Sequence, residues 1–370
     1  MGRLCVIYNF AQLYREPIFT EIDRRWDCSW YFGKNTTDIK GMDISKLSDA
    51  KELHTVRIGI GEWYRLKGLS GKLKGKNFST YLALGEPYCL SIWWLAMKLR
   101  LFGGNKKLYF WTHGWYGKET YLRRIIKKSF FKLADGIFLY GNYARNLMID
   151  EGFDPKKLFV IHNSLDYKKQ AKIRQTLKDS DIYRNHFGNN DPTLIFIGRL
   201  TAVKRLEQLI EAQGILIQTG FPCNLVLVGD GEKKKELELL VKDKDLVDRV
   251  WFYGKCYDDN VNAELIYNAS LCVAPGNVGL TAMHTMVFGT PVISHNEFKY
   301  QMPEFEAIRP GETGDFFKNE DVENLACTIE RWLKEHTDRE AVREACFAEI
   351  DAGWNPKYQM DIFEKHLIVE

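Results

Sequence analysis

Short β-branched and aromatic runs recur along the chain, each followed by a stretch in which apolar residues return every three or four positions. This alternation is the signature of parallel α/β units. It predicts strands over 4–8, 28–32, 78–82, 107–112, 136–139 and 159–161, with helices near 18–25, 88–102, 118–133 and 142–150. A polar, Lys- and Gln-rich stretch follows Asp166, and a fresh strand at 193–197 then opens a second series. Its further strands fall at 224–228, 250–253, 271–274 and 291–294, with helices near 203–218, 233–244, 259–268, 280–288 and 321–335. Two domains follow, 1–165 and 166–354, with a last helix at about 355–370 expected to pack back on the first.

Composition agrees with that division, since 370 residues exceed one ordinary core at roughly 150 residues per domain. No run of 18 apolar residues occurs, which argues against a spanning helix. The opening residues read as a buried first strand rather than a leader peptide, and Val6 stands where myristoylation requires Ser or Thr. Eight scattered cysteines form no C-x-x-C pair and lie near no completing histidines. Reduced thiols in a cytoplasmic compartment are the expectation, with no metal site.

Net charge is +3, but the first 165 residues carry an excess of twelve cations and the remainder an excess of nine anions. A basic half suggests an anionic partner. The basic residues fall in two stretches: Arg65, Lys67, Lys72, Lys74 and Lys76 in a glycine-spaced loop, and Arg123, Arg124, Lys127, Lys128 and Lys132 at helical spacing opposite Ile125, Ile126, Phe130 and Phe131. No nucleic-acid-binding motif accompanies them. An anionic membrane surface on the inner face of the cell membrane fits better. Trp93 and Trp94 could add an interfacial contact to such a surface, although a core helix is the stronger reading.

Two segments of the second half carry chemistry. In the first, a strand runs into Gly198-Arg199, and Lys204 stands five residues beyond Arg199 where a helix begins. Paired cations at the carboxyl end of a strand suit a diphosphate. In the second, the strand 271–274 leads through Gly276, Asn277, Val278, Gly279, Leu280 and Thr281 into a helix carrying His284. Successive amides there can point at an anion.

Together with Leu227-Val228-Gly229-Asp230-Gly231, Phe252-Tyr253-Gly254, Pro303-Glu304 and Pro310-Gly311-Glu312-Thr313-Gly314, these segments resemble the family 4 glycosyltransferases over about 191–334. The resemblance implies the GT-B fold, two Rossmann-like domains facing each other across a cleft, and retaining transfer from a nucleotide sugar. Carried over by position, Arg199 and Lys204 act on the leaving diphosphate, helped by Gly198 and Gly254. The amides of Asn277 to Thr281 hold the distal phosphate and the sugar. No metal or other cofactor is implied. The family's two glutamates, seven residues apart, are replaced here by Gly276 and His284. His284 can still hydrogen-bond a ribose, whereas sugar recognition passes to the backbone or Asn277.

In the first half, the strand 107–112 ends at His113-Gly114, resembling the family's strand-end histidine beside the reacting sugar. The first strand–helix turn lacks the family's glycine pair and offers Tyr14 or Arg15 instead. The implied function is a hexosyltransferase-type enzyme of polysaccharide biosynthesis. It would move a sugar from a nucleotide diphosphate sugar to a surface glycan of lipid-linked oligosaccharide, capsule or O-antigen type. The alternatives are a nucleotide-sugar epimerase on the same fold and a noncatalytic nucleotide-sugar-binding subunit.

Overall fold

Fourteen strands are arranged in two separate sheets of the computed structural model, which describes residues 2–37, 39–59 and 61–369. In chain order the first sheet contains β1 (Arg3–Tyr8), β2 (Asp27–Gly33), β3 (Ala50–Arg57), β4 (Tyr64–Lys67), β5 (Thr80–Leu84), β6 (Lys107–Thr112), β7 (Gly136–Leu139) and β8 (Leu158–Val160). Their spatial order is β4-β3-β2-β1-β5-β6-β7-β8, parallel except for β4, which runs against β3. Helices cover both faces, so the central strands are buried on both sides and read as near-continuous apolar runs. Phe78, Leu95, Phe110 and Phe130 pack on one face, and Trp30, Trp111 and Phe138 on the other.

The first unit comprises residues up to Asp166 together with the segment from Asn355. That returning segment is held by apolar and polar contacts. Phe363 meets Trp111 and Phe138 at 5.1 and 4.7 Å between ring centres. Ser164 Oγ donates to Gln359 Oε1 at 2.7 Å, and Arg25 pairs with Glu364.

The second unit, Tyr167–Trp354, holds β9 (Thr193–Ile197), β10 (Asn224–Val228), β11 (Val250–Gly254), β12 (Leu271–Ala274), β13 (Val292–His295) and β14 (Gly314–Phe317). All are parallel, in the order β11-β10-β9-β12-β13-β14. The strand order reverses between β9 and β12. Ligands of open α/β sheets collect outside the carboxyl ends of strands at such a reversal. Both units are mixed α/β, as the hydrophobic pattern predicts.

Several local expectations are corrected. The strands β3, β4 and β14 have no counterpart among those predicted: β4 and β14 lie at sheet edges, and β3, next to the edge, has mostly half-buried and exposed positions rather than an apolar run. The loop expected to carry Arg65, Lys67 and Lys72 is instead β4 followed by the helix Leu69–Leu73, and Lys76 is paired with Asp49 at 3.2 Å. The helix Tyr121–Phe131 turns differently from the face expected: Lys127 is only 7% exposed and Ile125 is 46% exposed. Glu119 supplies the reason, binding Lys127 Nζ at 2.6 Å. The rings of Trp115 and Tyr116 lie 5.0 and 5.2 Å from the same ammonium and complete its surroundings.

Candidate functional site

In the second unit, the loops after β9 and β12 are drawn together by backbone contacts that leave no room for side chains. Gly276 N donates to Lys204 O and Asn277 N to Val203 O, both at 3.1 Å. A Cβ on Gly276 would stand 2.1 Å from Val203 O, so this approach requires glycine. Gly229 is constrained in the same way, since a Cβ there would fall 1.8 Å from Gly198 O, and Gly198 shares its positive φ. Thr281 Oγ1 donates to Ile197 O at 3.0 Å and ties the second loop to the end of β9.

Lys204 reaches across this junction. Its ammonium donates to Asn277 O at 2.5 Å and to Val278 O at 3.4 Å. Burial, opposed by Glu304 and aided by Arg199, lowers its pKa to about 8. An ammonium has three donors, so a further acceptor can be taken. Gly279, at positive φ, lies beside it, since a Cβ there would come 3.8 Å from Lys204 Nζ.

The five amides of Asn277 to Thr281 are not equivalent, which corrects the sequence reading. Asn277 N is taken by Val203 O, and Val278 N donates to Gln301 Oε1 at 2.9 Å. Gly279, Leu280 and Thr281 keep amides with no acceptor among the described residues. The helix that begins here, Thr281–Met286, has only six residues, so the local amides matter more than any helix dipole. His284 lies on that helix, and burial lowers its pKa to about 4. Its imidazole is neutral near pH 7 and can both donate and accept. Arg199 is exposed at the end of β9. Gly254 stands apart from this junction, at the end of the outermost strand, where its carbonyl accepts from Gly229 N at 2.8 Å.

In the first unit, a cavity of about 400 Å³ opens where β5 and β6 end. The two strands pair in register, Leu84 beside Trp111, which brings the residues that follow them together. Thr112 Oγ1 donates to Gly85 O at 2.7 Å, and Gly114 N donates to Thr112 Oγ1 at 3.2 Å. Gly114 has φ +69°, and a Cβ there would come 2.6 Å from Leu139 Cδ2. His113 and Glu86 both line the cavity, with the Glu119–Lys127 pair also in its wall.

Burial, aided by Arg15 and Lys127, pushes the pKa of His113 down to about 3. The histidine therefore presents a neutral ring, with Nδ1 lacking a hydrogen-bond partner. Arg15 is not the loop cation that the sequence suggests. It is 3% exposed, enclosed by Tyr8, Tyr14, Trp111 and Tyr140 at 5.0–5.4 Å. Tyr140 in turn lies 4.7 Å from the ring of His113.

Comparison with known proteins now bears on this geometry. Residues 177–347 match the family described as glycosyl transferases group 1. The match lies within the second unit, Tyr167–Trp354, and covers most of it. Alpha-D-kanosaminyltransferase of Streptomyces kanamyceticus is 28% identical over 165 residues, 44% of this chain and 42% of that protein. N-acetyl-alpha-D-glucosaminyl L-malate synthase of Bacillus anthracis is 28% identical over 185 residues, 49% of this chain and 45% of that protein. The matched stretch thus spans under half the length of either relative. Among solved structures, Anabaena Alr3699/HepE in complex with UDP superposes with a TM-score of 0.70 at 15% identity, covering 99% of both chains. The apo form of the lipopolysaccharide outer core galactosyltransferase WaaB gives 0.72 at 14% identity, covering 98% of this chain and 99% of that one. At such identities the likeness is one of fold, and the fold is GT-B.

The matched region contains two residues that the motifs alone do not single out. Gln301 bridges Val278 N, Ser294 Oγ and the carbonyls of Gly276 and His295, and so fixes the loop. Glu304, 2% exposed, supports the charge of Lys204. Both act across more than twenty residues of sequence, and no local spacing reports that. Glu304 lies in the Pro303-Glu304 pair already noted, the one signal that could have found it.

Proposed function

We propose that the chain moves a hexose-type sugar, with retention of anomeric configuration, from a nucleoside diphosphate sugar to a growing surface glycan. The glycan would be of lipid-linked oligosaccharide, capsule or O-antigen type. The work would be done without a metal, from the cytoplasm at the inner face of the membrane. One observation carries the reading: Lys204 and the open amides of Gly279 and Leu280 meet at the strand reversal of the unit that matches the group 1 family. A cation beside two fixed amides stabilises charge growing on a departing diphosphate. Arg199 is the second cation of this task, and His284 the partner of the ribose. Anabaena HepE was solved with UDP and with UDP-glucose, which makes a uridine nucleotide the first to try. His113, neutral and partly exposed in its cavity, would hydrogen-bond the reacting sugar or its acceptor.

Thermal-shift measurement against UDP, GDP, CDP and their sugars tests this. A ligand that binds only the folded state at about 100 times its Kd adds about 2.7 kcal/mol of stability. Stabilisation by one nucleotide series, with an α-linked product from an α-linked donor, is the expected result. A protein that no nucleotide stabilises has no donor site, and an inverted product refutes retention. Gly276, which brings no side chain to the loop, favours one second reading, a nucleotide-binding subunit without catalysis. That reading requires stabilisation without either transfer or hydrolysis.

A further inference from the structure

The helix Leu90–Phe102 buries Ile92, Leu95, Ala96 and Leu99 against the first sheet. Its opposite side is apolar as well. Leu90, Trp94, Met97 and Leu101 recur at helical spacing and are all exposed, Leu101 to 69%, with Phe102 beyond them at 81%. A surface helix ordinarily turns polar residues outward, and a helix that is apolar all round is ordinarily covered. Trp93 packs on Phe130 of the neighbouring helix Tyr121–Phe131, with 5.1 Å between ring centres. That helix also leaves Tyr121, Leu122 and Ile125 exposed.

Charge indicates what covers this face. No Asp or Glu occurs from Tyr88 to Lys118, whereas Lys98, Arg100, Lys106, Lys107 and Lys118 do, Arg100 being paired with Asp135 at 2.6 Å. Lys98 lies 5.1 Å over the ring of Trp94, at the edge of the stripe. The helix Tyr121–Phe131 contains no acid either, its cations being paired with Glu62, Glu119 and Glu151 outside it, so Lys98, Lys106 and Lys107 carry the positive charge that no ion pair offsets among the described residues. A second copy of the chain packed face to face would bring cation against cation. An anionic bilayer supplies both an apolar layer and the opposite charge.

We propose that the outer stripe of Leu90–Phe102 is a lipid-docking face, its apolar side chains entering the headgroup boundary of an anionic membrane while Lys98 and its neighbours meet the lipid phosphates. The inference specifies the membrane contact of the function proposed above, but it does not depend on the nucleotide site. No helix among the described residues is long and apolar enough to cross a membrane, so attachment would be peripheral. The basic stretch with Lys72 and Lys74 becomes secondary, since apolar entry, rather than charge alone, would set the affinity.

The test is co-sedimentation of the full chain with phosphatidylcholine vesicles, with and without phosphatidylglycerol. Wild type should bind the anionic vesicles, and the triple variant Trp94→Ser, Met97→Ser, Leu101→Ser should lose at least tenfold in partitioning. Thermal stabilisation by UDP, measured on both proteins, reports whether the variant folds and keeps its nucleotide site. Absence of that stabilisation in wild type would damage the donor-site reading and leave the docking result standing. Phe102→Ser, at the exposed helix end, gives a milder variant if the triple one fails to fold, and should weaken binding severalfold. Equal vesicle binding by wild type and these variants overturns the proposal. So does a concentration-dependent dimer that the variants abolish without any vesicle binding, which would assign the face to a second copy.

Discussion

The two units end their central strands in different chemistry. After β9 and β12 the working surface is backbone: glycines at 198, 276 and 279, open amides, and one lysine held by carbonyls. After β5 and β6 it is side chain: a neutral histidine, a carboxylate at Glu86, a buried ion pair and several aromatic rings. Backbone amides read a phosphate, which is common to many donors, and glycines are dictated by clearance. Side chains read what is particular to a substrate, and many combinations satisfy one cavity. The difference explains why the second unit has recognisable relatives over 177–347 while the first unit does not declare its ligand.

The sharpest way to break the comparison is at His113. If the cavity acts on the reacting sugar, His113→Ala should lower turnover by ~10²–10⁴-fold, the usual loss for a positioned hydrogen-bonding or acid–base group. Diphosphate affinity should stay within a few-fold, because Lys204 and the amides belong to the other unit. Parallel measurement of transfer rate, UDP affinity and melting temperature separates this from a structural histidine, which would lower all three together.

Next in size is Glu119→Gln. It leaves Lys127 charged and buried without its partner, and breaking such a pair costs about 3–5 kcal/mol. Denaturant unfolding should show that loss, and Glu119→Gln combined with Lys127→Met should recover much of it. A loss under 1 kcal/mol in the single variant would mean that water reaches the pair.

Gly276→Ala tests the backbone side. Its Cβ would press on Val203 O, and overpacking typically costs about 1–3 kcal/mol. Calorimetry should show a lowered melting temperature together with weaker nucleotide binding. Normal behaviour in both would show that the loops part easily.

The smallest effect is pH-dependent. The pKa of Lys204 is held at about 8 by burial, so its ammonium is lost as pH rises through that value. Diphosphate affinity should therefore decline above pH 8, approaching tenfold per unit at most if only the cation binds. Lys204→Arg, always charged, should remove the dependence. A wild-type affinity that is flat to pH 9.5 would contradict the assignment of Lys204 to the phosphate.

Legibility in the sequence follows the same divide. Strands at 107–112, 136–139, 193–197, 224–228 and 271–274 have the bounds that their apolar runs predict, because parallel strands buried on both faces show as continuous runs. The edge strand β4 and its neighbour β3 do not, since many of their positions are exposed or half-buried. The glycine loops are visible because their glycines answer a local clearance, as at Gly229 and Gly276, or a positive φ, as at Gly254 and Gly279. Gln301 is invisible because its reason lies more than twenty residues away, at Val278 and Gly276. Lys127 misleads because helical spacing identifies a stripe but not which stripe faces inward. Only its meeting with Glu119 and the rings of Trp115 and Tyr116 decides that. Glu86 carries no motif at all, and the register of β5 against β6 is what brings it beside His113.

The segment from Asn355 also governs the order of assembly during synthesis. Tyr167–Trp354 is continuous, so that unit can close as soon as it has emerged from the ribosome. The earlier unit cannot, because Phe363 covers Trp111 and Phe138, and Thr80 Oγ1 donates to Ile368 O. The part of the chain made first is thus the last to be sealed. Until the segment carrying Phe363 has emerged and docked, Trp111 and Phe138 lack the cover they have in the finished protein.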